Sequence, residues 1–136
     1  MLDTGTDAGK RAEQRLREEE IIWLTTVNAS GQPQSSPVWF LWDGETFLVY
    51  SRPDQKTHNV ERHPQVSLHL NDEHGGGVIT IEGTAELMRQ APPALQNAAY
   101  AEKYREGVRR IGMDPADFAN AYSDALRITP TRMRVW

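Results

Sequence analysis

Asp43-Gly44 sits between two short apolar, β-branched and aromatic runs, Pro37–Trp42 and Thr46–Ser51, and this arrangement constrains the fold more than any other feature of the chain. A two-residue turn signal of this kind folds adjacent strands back on each other, so the pairing is antiparallel. Directly after the second run comes Ser51-Arg52-Pro53-Asp54-Gln55-Lys56-Thr57-His58-Asn59. Asp54 is placed to cap a helix over Gln55–His63, and Pro64 ends it by pushing the preceding residue out of helical geometry. The stretch Gln34–Pro64 thus gathers strand ends, a helix N-terminus, a lysine and small polar side chains by local sequence alone.

The rest of the chain supplies partners for these strands. Residues 1–6 are expected to fray, and residues 7–20 form a mostly solvated helix. Ile21–Val27 is β-branched and aromatic on both faces, and Asn28-Ala29-Ser30-Gly31 provides turn chemistry before the strand Gln34–Trp42. Pro37 removes a ladder hydrogen bond from that strand, which fits an edge strand, a bulge, or an opening beside a ligand. Val66–Leu70 predicts a fourth strand, Asn71–Gly77 a flexible loop, and Val78–Met88 a half-buried strand by its clean alternation. Pro92 and Pro93 start a helix to about Ile111, Asp114-Pro115 caps another through Tyr122, and Ala125–Trp136 closes the chain as a strand bent at Pro130. The expected fold is mainly β: a six-stranded antiparallel barrel with helices, in one domain spanning 1–136.

Composition narrows the chemistry. With 136 residues, 38% of them hydrophobic, the chain builds one ordinary core. A net charge of −4 argues against nucleic acid and anionic membrane as partners, so an anion site must be a local cluster. The absence of cysteine excludes disulfides and thiolate chemistry. His58, His63, His69 and His74 lack the i, i+4 pairing of the common zinc motif, so no metal is expected. A polar N-terminus and the lack of any long apolar run fit a cytoplasmic protein.

The candidate site follows from the helix at Gln55. The free N–H groups and partial positive charge of its first turn favour an anion, with Lys56 and Asn59 on one face and Ser51 and Arg52 one turn away. Asp54 competes for the same donors. A capped surface helix with an exposed lysine has the same sequence signature. Tyr100, Lys103 and Tyr104 read as substrate-side donors or as an interface or solvated helix face, and Arg105, Arg109 and Arg110 as a solvated face.

The run Pro37-Val38-Trp39-Phe40-Leu41-Trp42-Asp43-Gly44, then Val49-Tyr50-Ser51, Lys56, Asn59, Pro64, Val66-Ser67-Leu68 and Glu82-Gly83-Thr84-Ala85-Glu86, resembles the split-barrel flavin-binding superfamily. That superfamily includes the pyridoxamine phosphate oxidases and the actinobacterial deazaflavin-dependent oxidoreductases, and the segments Pro37–Gly44 and Ser51–Asn59 are most similar to the deazaflavin branch. The resemblance implies a homodimeric split barrel that binds coenzyme F420, or FMN, in a cleft at the dimer interface. It implies that Gln34, Ser36, Pro37 and Val38 lie along the ring, that Ser51, Lys56 and Asn59 hold the phosphate, and that Arg52 extends the charge toward an acidic coenzyme tail. The implied activity is hydride transfer from the reduced deazaflavin to a conjugated or quinone-like small molecule. An FMN-dependent oxidase or reductase and a non-catalytic cofactor carrier are the rivals, and no residue is identified as a proton donor.

Overall fold

Seven strands form one antiparallel sheet in the computed structural model, which describes residues 1–136. The elements in chain order are α1 (Asp7–Glu18), β1 (Ile21–Val27), β2 (Pro33–Trp39), β3 (Leu41–Trp42), β4 (Phe47–Ser51), α2 (Gln55–Arg62), β5 (Gln65–Leu70) and β6 (Ile79–Met88). A 3₁₀ turn (Ala94–Gln96), α3 (Ala98–Arg110), α4 (Pro115–Ala121) and β7 (Asp124–Val135) complete the chain. The sheet order is β2-β1-β5-β6-β7-β4-β3.

That order carries its own proof of closure. β2 and β3 are separated by Phe40 alone, yet they occupy opposite ends of the sheet. Consecutive Cα atoms lie about 3.8 Å apart, so the two sheet ends meet only if the sheet curls into a barrel. The seventh strand, relative to the six expected, arises here: the strand expected over Gln34–Trp42 breaks at Phe40 into β2 and β3. The break is not at Pro37, which pairs with Trp23 in an uninterrupted β1–β2 register. Pro37 is tolerated because β2 has a hydrogen-bonded neighbour on one side only.

Backbone groups freed at Phe40 are satisfied from α3. The Tyr104 hydroxyl accepts the Phe40 N–H at 2.8 Å and lies 2.6 Å from the Phe40 carbonyl and 2.7 Å from the Glu20 carbonyl. Lys103 Nζ donates to the same Phe40 carbonyl at 2.8 Å. Gly107 lets α3 come this close, since a Cβ there would stand 2.9 Å from the Trp39 ring.

Alternation sets the core. Ile22 and Leu24 of β1, Val66, Leu68 and Leu70 of β5, and Ile79 and Ile81 of β6 point into the barrel, with Phe40 and Phe47. All five residues of β4 are buried, because its second face carries Leu48 and Tyr50 against Tyr100, Tyr104 and Phe118 of the helices. Helix α2 brings Val60 into the barrel core, and Asn59 ties β1 to β2 through Thr26 Oγ1 and Gln34 Oε1, both at 2.9 Å.

Several local expectations shift by a physical cause. The β3–β4 connection is a four-residue loop, Asp43–Thr46, because the Asp43 carboxylate accepts the Glu45 and Thr46 N–H groups while Gly44 takes φ +97°. The helix expected from Pro92 is interrupted at Asn97, whose side chain accepts the Tyr100 N–H and restarts the helix as α3. The β6–β7 register slips between Glu82 and Gly83, opposite Pro130, where the bend is expected. Met1–Thr6 includes a turn, with Thr6 capping α1 and its N–H on the Asp3 carbonyl. The 71–77 loop is pinned by Arg15, nearly fully buried, which donates to the Gly77 and Asn71 carbonyls.

Tyr104→Phe removes the acceptor of the buried Phe40 N–H and should cost about 1–3 kcal/mol in urea unfolding. Unchanged stability would show that closure at Phe40 does not rest on this hydroxyl.

Candidate functional site

The strand break opens a cleft. β2 is zipped to β1 and β3 to β4, so the C-terminal half of β4 has no partner on the β2 side. A cleft of about 230 Å³ lies there, bordered by Pro37, Val38 and Trp39 of β2 and by Tyr50 and Ser51 of β4. Lys56 from the first turn of α2 borders it too, as do Ile111, Phe118 and Tyr122 on and beside α3 and α4. Tyr100, fully buried, is the innermost of the lining residues.

Aromatic stacking builds the wall. Trp39 stacks on Tyr104 at 4.7 Å between ring centroids and on Phe118 at 5.6 Å, and Phe118 stacks on Tyr122 at 4.5 Å. The Arg52 guanidinium lies 4.8 Å over the Tyr122 ring and carries the column to the solvent. One flank of the cleft is therefore flat and apolar, and its outer end is cationic.

Of the eight residues expected to bind cofactor, Pro37, Val38, Ser51 and Lys56 border this cleft, and Arg52 stands beside it on Tyr122. Gln34 and Ser36 lie farther along β2. Asn59 spends both amide hydrogens on Thr26 and Gln34 and accepts from Gln55 Nε2 at 2.8 Å. Its place in the structure is as a tie between strands.

The anion end has internal competition. Asp54 caps α2, accepting the Lys56 N–H at 3.1 Å, and its carboxylate also pairs with the Lys56 ammonium. Ser51 Oγ donates to the Arg52 carbonyl at 2.8 Å. Two cations, Lys56 and Arg52, and one carboxylate, Asp54, leave a net positive charge at this end of the cleft.

Trp39, Tyr50, Phe118 and Tyr122 line the cleft although sequence reasoning assigned them no site role, and Tyr100, one of the substrate-side donor candidates, lines it too. The available signal is the i, i+4 spacing of Tyr100/Tyr104 and Phe118/Tyr122, each pair on one helix flank. Tyr100 and Tyr104 are fully buried and Lys103 is half-buried, so this flank of α3 is not a solvated face. The arginines fit the solvated reading: Arg109 pairs with Glu106 and Arg110 with Glu20 at the surface.

With this geometry in view, the relatives are informative. The sequence matches the family model for pyridoxamine 5'-phosphate oxidase over residues 8–136. The chain belongs to that family. Its barrel is the family's split barrel. Among solved structures, an F420 reductase superposes with a TM-score of 0.69 at 24% identity, covering 90% of this chain and 94% of that one. An FAD-binding protein from Mesorhizobium loti superposes at 0.69 with 15% identity, covering 91% and 88%. A heme storage protein, HutZ, from Vibrio cholerae superposes at 0.66 with 20% identity, covering 93% and 92%. At these identities the likeness is one of fold, and it spans different ligands. No helix of the chain is long and apolar enough to cross a membrane.

Lys103 gives the region behind the cleft a pH signature. Burial lowers its pKa from 10.5 to about 8, with Glu20 and Glu19 pulling the other way. The ammonium sits 4.0 Å over the Phe40 ring, which offsets part of the burial cost. Between about pH 8 and the ordinary lysine value the unfolded chain holds more protons than the folded one, so this contribution to stability rises with pH. The stability difference between wild type and Lys103→Met should therefore shift toward wild type from about pH 7 to about pH 10. A flat difference in urea unfolding would contradict the burial of this ammonium.

Proposed function

We propose that this family member is an F420-dependent oxidoreductase that works as a homodimer on a conjugated or quinone-like small molecule. The observation that carries the reading is the two-ended cleft: a flat aromatic flank at Trp39, Phe118 and Tyr122, and the cations Lys56 and Arg52 at its outer end. The donor set fits a planar ring joined to a phosphate. Pro37 and Val38 offer a rigid edge to the ring, Lys56 and Ser51 take the phosphate, and Arg52 reaches the acidic tail that distinguishes F420 from FMN. The chemistry supplied by the bound coenzyme is hydride delivery to an electron-poor carbon of the acceptor.

The chain's own residues bind, orient and exclude water. Stacked rings hold their positions before ligand arrives, which lowers the ordering cost of binding. A cleft of about 230 Å³, below the roughly 300–1,000 Å³ of small-molecule sites, supports a reading in which a second subunit completes the wall. β2, with one open edge beside the cleft, presents backbone groups to that shared space. The fold is shared with an F420 reductase and with an FAD-binding protein, so the choice between these coenzymes rests on the cleft itself.

Titration of the purified protein with F420, FMN and FAD, followed by fluorescence, tests the choice directly. Micromolar F420 binding with weaker FMN and FAD binding is expected; FMN binding without F420 binding would overturn it in favour of the flavin-dependent rival. Bound F420 with no turnover of any quinone would point to the carrier instead. Lys56→Ala should weaken coenzyme binding about tenfold or more through loss of a charge-assisted phosphate contact. Unchanged affinity would return Lys56 to the role of partner for Asp54.

A further inference from the structure

Three tyrosines pack together behind the cleft, and they differ in one respect. Tyr50 and Tyr100 meet edge to face at 4.8 Å between ring centroids, and Tyr100 and Tyr104 pack with tilted rings at 4.7 Å. The Tyr50 hydroxyl donates to the Pro92 carbonyl at 2.9 Å, and the Tyr104 hydroxyl serves Phe40 and Glu20. The Tyr100 hydroxyl is buried with no hydrogen-bond partner. It is the one buried side-chain polar atom of the chain left in that state.

An unpaired buried hydroxyl is destabilising, and a phenylalanine would fill the same space without that cost. Tyr100 lines the cleft, as do Tyr50 and Tyr122. We propose that Tyr100 is a ligand-recognition donor: its hydroxyl takes an uncharged carbonyl oxygen, carried by a flat ring that enters the inner end of the cleft.

The chemistry of the surroundings selects that class. Rings of Tyr50, Tyr104 and Phe118 and the methyl of Ala94 share the cluster around Tyr100. Lys56 is the one cation among the lining residues and is paired with Asp54 at the start of α2, so a carboxylate or phosphate beside the Tyr100 cluster would be desolvated with little compensation. Burial raises the Tyr100 pKa, and Tyr104, Tyr50 and Tyr122 raise it further, so the phenol keeps its proton and donates. The cleft then reads anions at its mouth and a neutral acceptor at its inner end. This inference rests on the functional reading above for the ring that brings the carbonyl, which either the coenzyme or a quinone-type acceptor supplies.

Tyr100→Phe tests it with two readouts. In the free protein the thermal midpoint should equal or exceed that of wild type, because the unpaired hydroxyl is gone. Affinity for at least one of three carbonyl-bearing probes, F420, FMN and menadione, each titrated separately, should fall about threefold to tenfold. Loss toward F420 or FMN assigns the carbonyl to the coenzyme, and loss toward menadione alone assigns it to the acceptor. A lowered midpoint with unchanged affinities would overturn the proposal and make the hydroxyl structural. If wild type binds F420 and the variant binds every probe equally well, this inference fails while the F420 reading stands. If wild type binds FMN or menadione but not F420, and the variant binds them more weakly, the F420 reading fails while this inference stands. Binding of none of the three by wild type overturns both.

Discussion

Everything distinctive in this molecule depends on how the chain changes edges at Phe40. A barrel closes when one strand pairs at both ends of the sheet, and here β2 pairs with β1 while β3, one residue later, pairs with β4. The residue between them belongs to neither ladder, and its backbone groups are buried with its side chain. Left unpaired, these buried groups would carry the full cost of their desolvation. Tyr104 and Lys103 prevent that by bringing one hydroxyl and one ammonium to the backbone N–H and C=O of Phe40.

The same solution creates the site. Because α3 must approach Phe40, its neighbours Tyr100 and Tyr104 cover the outer face of β4, and Trp39 is caught between Tyr104 and Phe118. Aromatic contacts of this kind contribute about 0.5–1.5 kcal/mol each beyond the area they bury. Closure of the barrel and rigidity of the cleft flank are therefore one set of contacts. The cationic end is built independently, by the strand-to-helix turn after Ser51, where Asp54 both caps α2 and pairs with the Lys56 ammonium. On the proposed reading, the ring wall would contribute shape to binding and this ion pair charge.

Much of this was legible in local sequence. The β1–β2 and β5–β6 hairpins, the helix from Asp54 to Pro64 and the bend at Pro130 each follow from turn, cap or proline chemistry within a few residues. The switch at Phe40 was not legible, because nothing in Trp39-Phe40-Leu41 differs from an uninterrupted strand; its cause sits in Tyr104, 64 residues away. The inner cleft was hidden for the same reason. Tyr100 and Phe118 show as helix residues with a broken apolar stripe, and only the pairing of β4 with β7 brings their surface opposite Pro37–Trp39. Asn59 illustrates a subtler limit: its spacing from Lys56 puts both on one side of α2, yet Asn59 turns to the barrel end and Lys56 to the cleft.

The central claim is that the gap opened by the strand switch is where ligand binds. Hydrogen–deuterium exchange of the protein with and without saturating F420 tests it at the level of individual segments. The account predicts new protection in two places only, the Val38–Trp39 edge of β2 and the turn from Ser51 to Lys56, with the outer face of β5 and β6 unchanged apart from any dimer contact already present without ligand. Protection that appears elsewhere while both of those segments exchange as before would contradict it.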